Sequence, residues 1–128
     1  MKLHVKIALA SDADEEFLGP GVCQLLEGIA RTGSIQQAAR AMALSYVKAL
    51  RILNRMERGV GRRLLVRHKG GAAHGSTALT PYALGLLREF AVLRRKVERS
   101  AAAAFGVFAG KCAAAAEGAG CRRAGSVP

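Results

Sequence analysis

Residues 32–51 constrain the fold more than any other part of the chain, because they read as two short helices separated by a tight turn. Ser34 stands where the first helix begins and Ser45 where the second begins, and serine side chains cap the unpaired N–H groups at helix N-termini. Gln37, three residues after Ser34, would complete a capping box. The turn between the helices is predicted at Ala43–Leu44.

Each of these two helices carries an apolar face, and the second also carries a basic one. The apolar residues repeat at helical spacing, as Ala38, Ala39 and Met42 in the first helix and Ala49, Leu53 and Met56 in the second. The outer face of the second helix is expected to show Tyr46, Lys48, Arg51 and Arg55. A short helix with a small buried face and a basic outer face is typical of one that reads the major groove. The pattern therefore predicts double-stranded DNA as a partner.

The charge of the chain is large and unevenly placed. The 128 residues carry a formal net charge of +11. Residues 31–99 hold fifteen Lys and Arg against three acidic residues, whereas five of the nine acidic residues precede residue 28. A basic block on a folded domain favours a polyanionic partner, with a merely solvated basic surface as the alternative. A membrane surface is disfavoured, because no helix pairs a bulky aromatic face with a basic one.

Signatures of catalysis, metal binding and secretion are missing from the sequence. The cysteines Cys23, Cys112 and Cys121 are odd in number and lack metal-ligand spacing, so we expect a reduced cytoplasmic protein without metal or cofactor. Neither a nucleophile elbow nor a phosphate-binding loop is present, and no enzymatic activity is expected. No apolar run is long enough to cross a membrane.

Two elements are predicted before the helix pair. Apolar and polar residues alternate from Leu3 to Leu9, which is typical of a half-buried strand. The acidic stretch of residues 12–16 reads as a loop. The Gly-Pro-Gly break at residues 19–21 precedes a helix that is predicted to end near Gly33.

A basic hairpin and a long helix are predicted after the pair. Residues 63–69 are basic and prone to form a strand, residues 70–76 are a glycine-rich tip, and a short strand returns at 78–79. Thr80-Pro81 is a strong helix start, and this helix is predicted to run to about Ala104. Its apolar seam is a candidate dimerisation face, formed by Leu86, Phe90, Leu93, Val97 and Ala101.

The order of these elements predicts a mainly α fold with a small β-wing, a winged helix-turn-helix with a long C-terminal dimerisation helix. We expect one domain over residues 1–104. The first strand is expected to join the hairpin as a third strand, because its edges would otherwise stay unpaired. Residues 105–128 are rich in Ala and Gly without an apolar seam, and a disordered tail is predicted there.

Several short segments together resemble one family of bacterial regulators. They span residues 2–100 in family order and include Phe17-Leu-Gly-Pro-Gly21, Thr32-Gly-Ser-Ile35, Ala38-Ala39, Ser45-Tyr46, Lys48-Ala49, Leu65-Val-Arg67, Gly70-Gly71 and Leu79-Thr80-Pro81. The chain resembles the N-terminal DNA-binding domain of ModE-type molybdate-responsive transcription regulators. The helix-turn-helix of that domain is similar to that of LysR-type regulators.

This resemblance implies that the helix beginning at Ser45 reads DNA and that the chain acts as a homodimer through its long helix. Such dimers match two half-sites about one DNA turn apart. Full regulators of this type carry C-terminal molybdate-binding domains, and nothing after Ser100 resembles one. Molybdate is therefore not expected to bind this chain.

Sequence-specific binding of duplex DNA by a transcription regulator is the predicted function. The residues predicted to contact DNA lie in the two-helix element and the wing, namely Ser34, Ser45, Tyr46, Val47, Lys48, Arg51, Arg55, Arg67, Lys69, Gly70 and Gly71. The alternative is a winged-helix module that binds an acidic protein through the same basic surface.

Overall fold

Four helices and two small antiparallel hairpins make up the part of the chain that the computed structural model describes, residues 1–68 and 76–118. The helices are α1 (Pro20–Thr32), α2 (Ile35–Ala41), α3 (Tyr46–Val60) and α4 (Pro81–Gly118). The strands are β1 (Leu9–Ala10), β2 (Glu16–Leu18), β3 (Leu65–His68) and β4 (Ser76–Leu79). The predicted mainly α winged helix-turn-helix with a long last helix is confirmed.

Two compact units divide the chain. One is residues 6–91, and the other joins residues 1–5 to the chain from Val92 onward. The division falls inside α4, whereas the sequence placed a boundary at Ala104. The helix-turn-helix and the wing both belong to the unit of residues 6–91.

The first two helices meet through small residues. α1 ends as predicted at Gly33, whose φ of 73° is left-handed and whose N–H donates to the carbonyl oxygen of Ile29 at 2.7 Å. Gly28 is buried in α1, and a Cβ on it would lie 3.0 Å from the Cβ of Ala38 on α2. The absence of a side chain at Gly28 therefore sets how closely α1 and α2 can pack.

The core of the unit of residues 6–91 lies between α1, α2, α3 and the base of the wing. Its largest fully buried side chains are Leu18, Leu25, Leu26, Ile29, Leu53, Met56 and Leu64. The predicted apolar face of α3, formed by Ala49, Leu53 and Met56, is thus buried. Full burial of one such side chain contributes about 1.5–3 kcal/mol to stability.

The wing is an antiparallel hairpin tied to the helices at its base. β3 pairs with β4 along its whole length, beginning with Leu65 opposite Leu79, and both of these side chains are buried. The N–H of Thr77 on β4 donates to the carbonyl oxygen of Gly33 at 2.8 Å. This bond joins the wing to the α1–α2 junction. The tip, residues 69–75, lies outside the described residues.

Thr80 connects the wing to the long helix. Its N–H donates to the carbonyl oxygen of Leu64 at 2.9 Å, and its hydroxyl donates to that of Arg63 at 3.0 Å. Its Oγ1 also accepts the N–H of Ala83 at 3.1 Å, which caps α4 as predicted.

The N-terminal strand is shorter than predicted and pairs differently. β1 pairs with β2 in a hairpin of its own, so its predicted addition to the wing is wrong. The turn that joins them is held by Ser11, whose N–H donates to the carbonyl oxygen of Glu15 at 2.9 Å. Closing this short loop costs less chain entropy than pairing β1 with a strand distant in sequence.

The last helix is longer than predicted. α4 continues to Gly118, so the predicted helix end near Ala104 and the disordered tail over residues 105–118 are wrong. The reason is that alanine is the strongest helix former, and the alanine runs at 101–104 and 113–116 sustain a helix without an apolar seam. Residues 119–128 lie outside the described part of the chain.

Gly59, near the end of α3, is where Phe17 of β2 packs on the helix. A Cβ at this position would lie 2.9 Å from the Cβ of Phe17 and closer still to its ring. We expect Gly59→Ala to lower the free energy of unfolding by about 1–2 kcal/mol, because overpacking outweighs the helix propensity gained. Denaturant unfolding measures this change.

The matched control is Gly21→Ala on α1, where an added Cβ meets nothing within 4 Å. We expect no loss of stability in this variant. Equal stabilities for the two variants would contradict the packing of Phe17 on Gly59.

Candidate nucleic-acid interface

Serine caps position the two helices of the helix-turn-helix. The Oγ of Ser34 accepts the N–H of Gln37 and the Oγ of Ser45 accepts the N–H of Lys48, both at 3.1 Å. Both caps are as predicted. The second half of the capping box is not formed by Gln37, because the N–H of Ser34 donates to Oγ1 of Thr32 at 3.2 Å.

The turn between the helices is closed by backbone hydrogen bonds. α2 ends at Ala41, and the N–H of Leu44 reaches back to the carbonyl oxygen of Ala39 at 2.9 Å. Ala43 takes a left-handed φ of 57°, a conformation that few residues other than glycine adopt readily. The turn therefore delivers the chain to Ser45 in one defined direction.

The exposed side of α3 is mostly polar and basic. Ala49, Leu53 and Met56 are buried in the core. The opposite side is exposed and follows i, i+4, i+7, i+11 spacing, with Val47, Arg51, Asn54 and Arg58 in one row. Lys48 and Arg55 are exposed beside this row.

Tyr46 occupies a different side of α3 from the rest of the predicted set. It precedes Leu50 by four residues and Leu53 by seven, so helical spacing places it toward the packed side. Its position in the first turn leaves its side chain 45% exposed, against 58% for Val47. The predicted residues Tyr46, Lys48, Arg51 and Arg55 therefore do not form a single row.

Arg67 is the predicted wing contact that the structure describes. It lies on β3 opposite Thr77 and is exposed. The other predicted wing contacts, Lys69, Gly70 and Gly71, lie outside the described residues. Arg62, just before the wing, has its guanidinium carbon 4.9 Å from the ring centre of Tyr82, a cation–π contact at the start of α4.

Glu57 fixes the wing to α3. Its Oε2 accepts the N–H of Leu64 at 2.8 Å and that of Leu65 at 3.3 Å. The carboxylate thus accepts two hydrogen bonds from backbone N–H groups at the start of β3. A polar notch of about 310 Å³ between α3 and β3 is lined by Asn54, Glu57, Arg63, Leu65 and Arg67.

Arg55 lies beside an acidic segment. Its Nε is 4.0 Å from Oε1 of Glu15, in the turn between β1 and β2. Both side chains are more than half exposed, so this is a weak, solvent-screened pair. The sequence interpretation grouped Arg55 with Lys48 and Arg51 and did not foresee a carboxylate next to it.

Three residues of this surface were missed by the sequence interpretation. Asn54 and Arg58 share the exposed row of α3 with Arg51, and extending the helical spacing beyond the first turns would have found them. No local signal marks Glu57, because its partners are backbone N–H groups seven and eight residues further on.

The predicted dimerisation residues differ in exposure. Phe90 is 3% exposed and belongs to the core of its own unit, and Leu86 is half-buried against that core. Leu93 and Val97 are 41% and 37% exposed, and Ala101 is half-buried. The seam changes along α4 from a core face to an accessible apolar face.

Across residues 1–68 and 76–118, no three His, Cys, Asp or Glu side chains gather closely enough to hold a metal ion. The helices among these residues also lack a stretch with the length and hydropathy needed to span a bilayer.

The caps, the exposed row on α3 and the attached hairpin define a winged helix-turn-helix domain. Residues 22–84 match the family model for bacterial regulatory helix-turn-helix proteins of the LysR family. These residues therefore form a LysR-type helix-turn-helix domain, the kind carried by bacterial transcription regulators.

Two ModE proteins are similar to the chain over more than half of its length. The transcriptional regulator ModE of Haemophilus influenzae is 40% identical over 84 residues, which are 66% of this chain and 33% of that protein. The molybdenum transport protein ModE of Herbaspirillum seropedicae is 34% identical over 94 residues, 73% of this chain and 33% of that protein. The chain thus spans about a third of the length of these relatives.

Proposed function

We propose that the chain is a transcription regulator that binds specific duplex DNA as a homodimer. In this proposal the N-terminal half of α3 enters the major groove. The hairpin β3–β4 lies along the phosphate backbone, with Arg67 as one of its contacts. The Haemophilus influenzae relative, which is named as a transcriptional regulator, supports the regulatory class, and the surface of α3 supports the partner.

The exposed N-terminal half of α3 carries the proposal. Val47, Lys48 and Arg51 are all exposed in its first two turns, while Ala49 between them is fully buried. Residues near the N-terminus of a recognition helix are those that reach base edges, and Lys or Arg there can bind O6 and N7 of guanine. The Ser45 cap leaves further N–H groups of the first turn available to a phosphate.

Fluorescence anisotropy with labelled duplex DNA tests the proposal. We expect binding at low salt, with the logarithm of the association constant falling steeply and linearly with the logarithm of salt concentration, because several phosphates are neutralised. Selection from random duplexes should then yield a palindromic consensus. Retention of an acidic protein with no DNA binding at low salt would overturn the proposal in favour of a protein-binding module.

Arg67→Ala tests whether the wing contacts the phosphate backbone. A phosphate contact carries no sequence information, so we expect affinity to fall by a similar factor for consensus and random duplexes. The slope of the salt dependence should become shallower by about 0.9. An unchanged slope would remove Arg67 from the backbone contacts.

We propose that two copies of the chain pair through the accessible part of α4, because its apolar residues are exposed. Leu93, Val97, Val107 and Phe108 are each between 37% and 60% exposed, and clustered apolar exposure of this kind marks interaction surfaces.

We expect the wild-type chain to sediment as a dimer and Val97→Glu as a monomer. Ala113→Glu, which adds the same charge to an exposed position of α4, should remain dimeric. A monomeric wild type would overturn this part of the proposal.

A further inference from the structure

We propose that an acidic turn sets one edge of the DNA-binding surface on α3, by pairing with Arg55 and repelling phosphates there. The acidic turn is defined as residues 11–16, the turn after β1 together with the first residue of β2, and it carries the exposed carboxylates of Asp12, Asp14, Glu15 and Glu16. This inference rests on the proposed DNA binding. It assigns the turn a role in specificity, as a repulsive element that shortens the footprint.

The acidic turn is held in a defined shape. The Oγ of Ser11 accepts the N–H groups of Ala13 and Glu15, both at 3.3 Å. The N–H of Asp14 donates to the carbonyl oxygen of Ser11 at 2.9 Å, and Asp14 itself has a left-handed φ of 64°. The carboxylates are therefore presented from an ordered turn between β1 and β2.

The turn is also attached to α3. Phe17, which follows it, packs on Gly59 so closely that a Cβ there would collide with the ring. Glu15 and Arg55 face each other across a cleft of about 150 Å³, with Oε1 and Nε 4.0 Å apart. Arg58 lines the same cleft. The negative charge thus lies beside the C-terminal half of the helix that is proposed to read DNA.

Near this edge, the four carboxylates of the acidic turn outnumber the three neighbouring cations of Lys6, Arg55 and Arg58. Lys6 pairs with Glu16, its Nζ lying 3.1 Å from Oε1, and Arg55 lies closest to Glu15. Two further carboxylates, those of Asp12 and Asp14, face solvent. Placing like charges together disfavours a wrong partner or a wrong register. A duplex that extended along α3 past Arg51 would bring its phosphates toward these carboxylates.

Neutralising Glu15 tests the inference directly. We expect Glu15→Gln to raise affinity for a random-sequence duplex by about 1.4- to 5-fold, the equivalent of breaking one exposed ion pair. The slope of the salt dependence should become steeper by about 0.9, because Arg55 is released to a phosphate. Glu27→Gln, which removes the same charge from an exposed position on α1, should change the slope far less.

Arg55→Ala in two backgrounds completes the test. In the wild-type background we expect Arg55→Ala to weaken DNA binding less than Arg67→Ala does, because Glu15 competes with phosphates for the guanidinium of Arg55. In the Glu15→Gln background, Arg55→Ala should abolish both the gain in affinity and the steeper slope. Such a double-mutant cycle isolates the coupling of the pair.

Two outcomes overturn the inference while leaving DNA binding intact. One is an unchanged affinity and slope in Glu15→Gln. The other is that Arg55→Ala in the wild-type background makes the slope of the salt dependence shallower by about 0.9, as the loss of a phosphate contact would. If the wild-type chain binds no duplex, the proposed function fails, and the inference fails with it. Thermal unfolding of each variant shows whether it remains folded.

Discussion

Leu53→Ala is expected to lower the free energy of unfolding by about 2–5 kcal/mol, the range for truncating a buried leucine. Leu53 is 1% exposed and lies on the face of α3 that closes the core. Truncation leaves a cavity between elements that are held elsewhere, by the hydrogen bonds of Glu57 and by the close packing of Gly28 on Ala38. These contacts limit how far the core can collapse into the space. The loss is a large fraction of the 5–15 kcal/mol that stabilises a typical domain.

Val47→Ala, six residues earlier on the same helix, is the matched control. Val47 is 58% exposed, and substitutions at exposed positions usually change stability by less than about 0.5 kcal/mol. Urea unfolding of both variants measures the difference. If the two lose equal stability, the assignment of the buried face of α3 is wrong. DNA binding by Val47→Ala then reports on recognition separately from folding.

Lys48→Ala is expected to weaken binding to the preferred DNA site by about 1–3 kcal/mol, which is roughly a 5- to 150-fold loss of affinity. The reason is the placement of Lys48, exposed in the first turn of α3, where side chains reach base edges. A base contact contributes to specific binding only, so a random duplex should lose less. Anisotropy titrations with the two duplexes measure the ratio.

Lys111→Ala removes the same charge from an exposed position on α4 and serves as the control for net charge. We expect the ratio of specific to random affinity to stay at its wild-type value in this variant. An equal loss for both duplexes in Lys48→Ala would instead make Lys48 a backbone contact. The proposal of a reading helix would then rest on Val47 and Arg51.

The wing is attached to the helices by hydrogen bonds at its base. Glu57 attaches the start of β3 to α3, and Thr77 attaches β4 to Gly33 at the end of α1. The wing is therefore held at two separate places, by the side-chain carboxylate of Glu57 and by a backbone hydrogen bond between Thr77 and Gly33. A hairpin held in this way places Arg67 beside Asn54 of α3, as the proposed contact of the helix with the groove and of the wing with the backbone requires.

Local patterns in the sequence predicted the helix-turn-helix well, because its determinants act over a few residues. Ser34 and Ser45 cap helices through N–H groups three residues on, and Gly33 ends α1 through its own φ. The same reasoning was wrong at both ends of the chain. It paired the N-terminal strand with the wing, and it ended α4 near Ala104 by following bulky apolar residues and neglecting the helix propensity of alanine.

The sequence by itself determined the class of fold, the buried face of α3 and the basic character of its outer face. These follow from spacing and from caps, which act locally. Only the tertiary structure decided which residues of different elements become neighbours. Glu57 meets N–H groups of the wing, Glu15 meets Arg55, and Phe90 enters the core instead of the accessible seam. Each depends on groups from different elements of the fold, which become neighbours only after the chain packs.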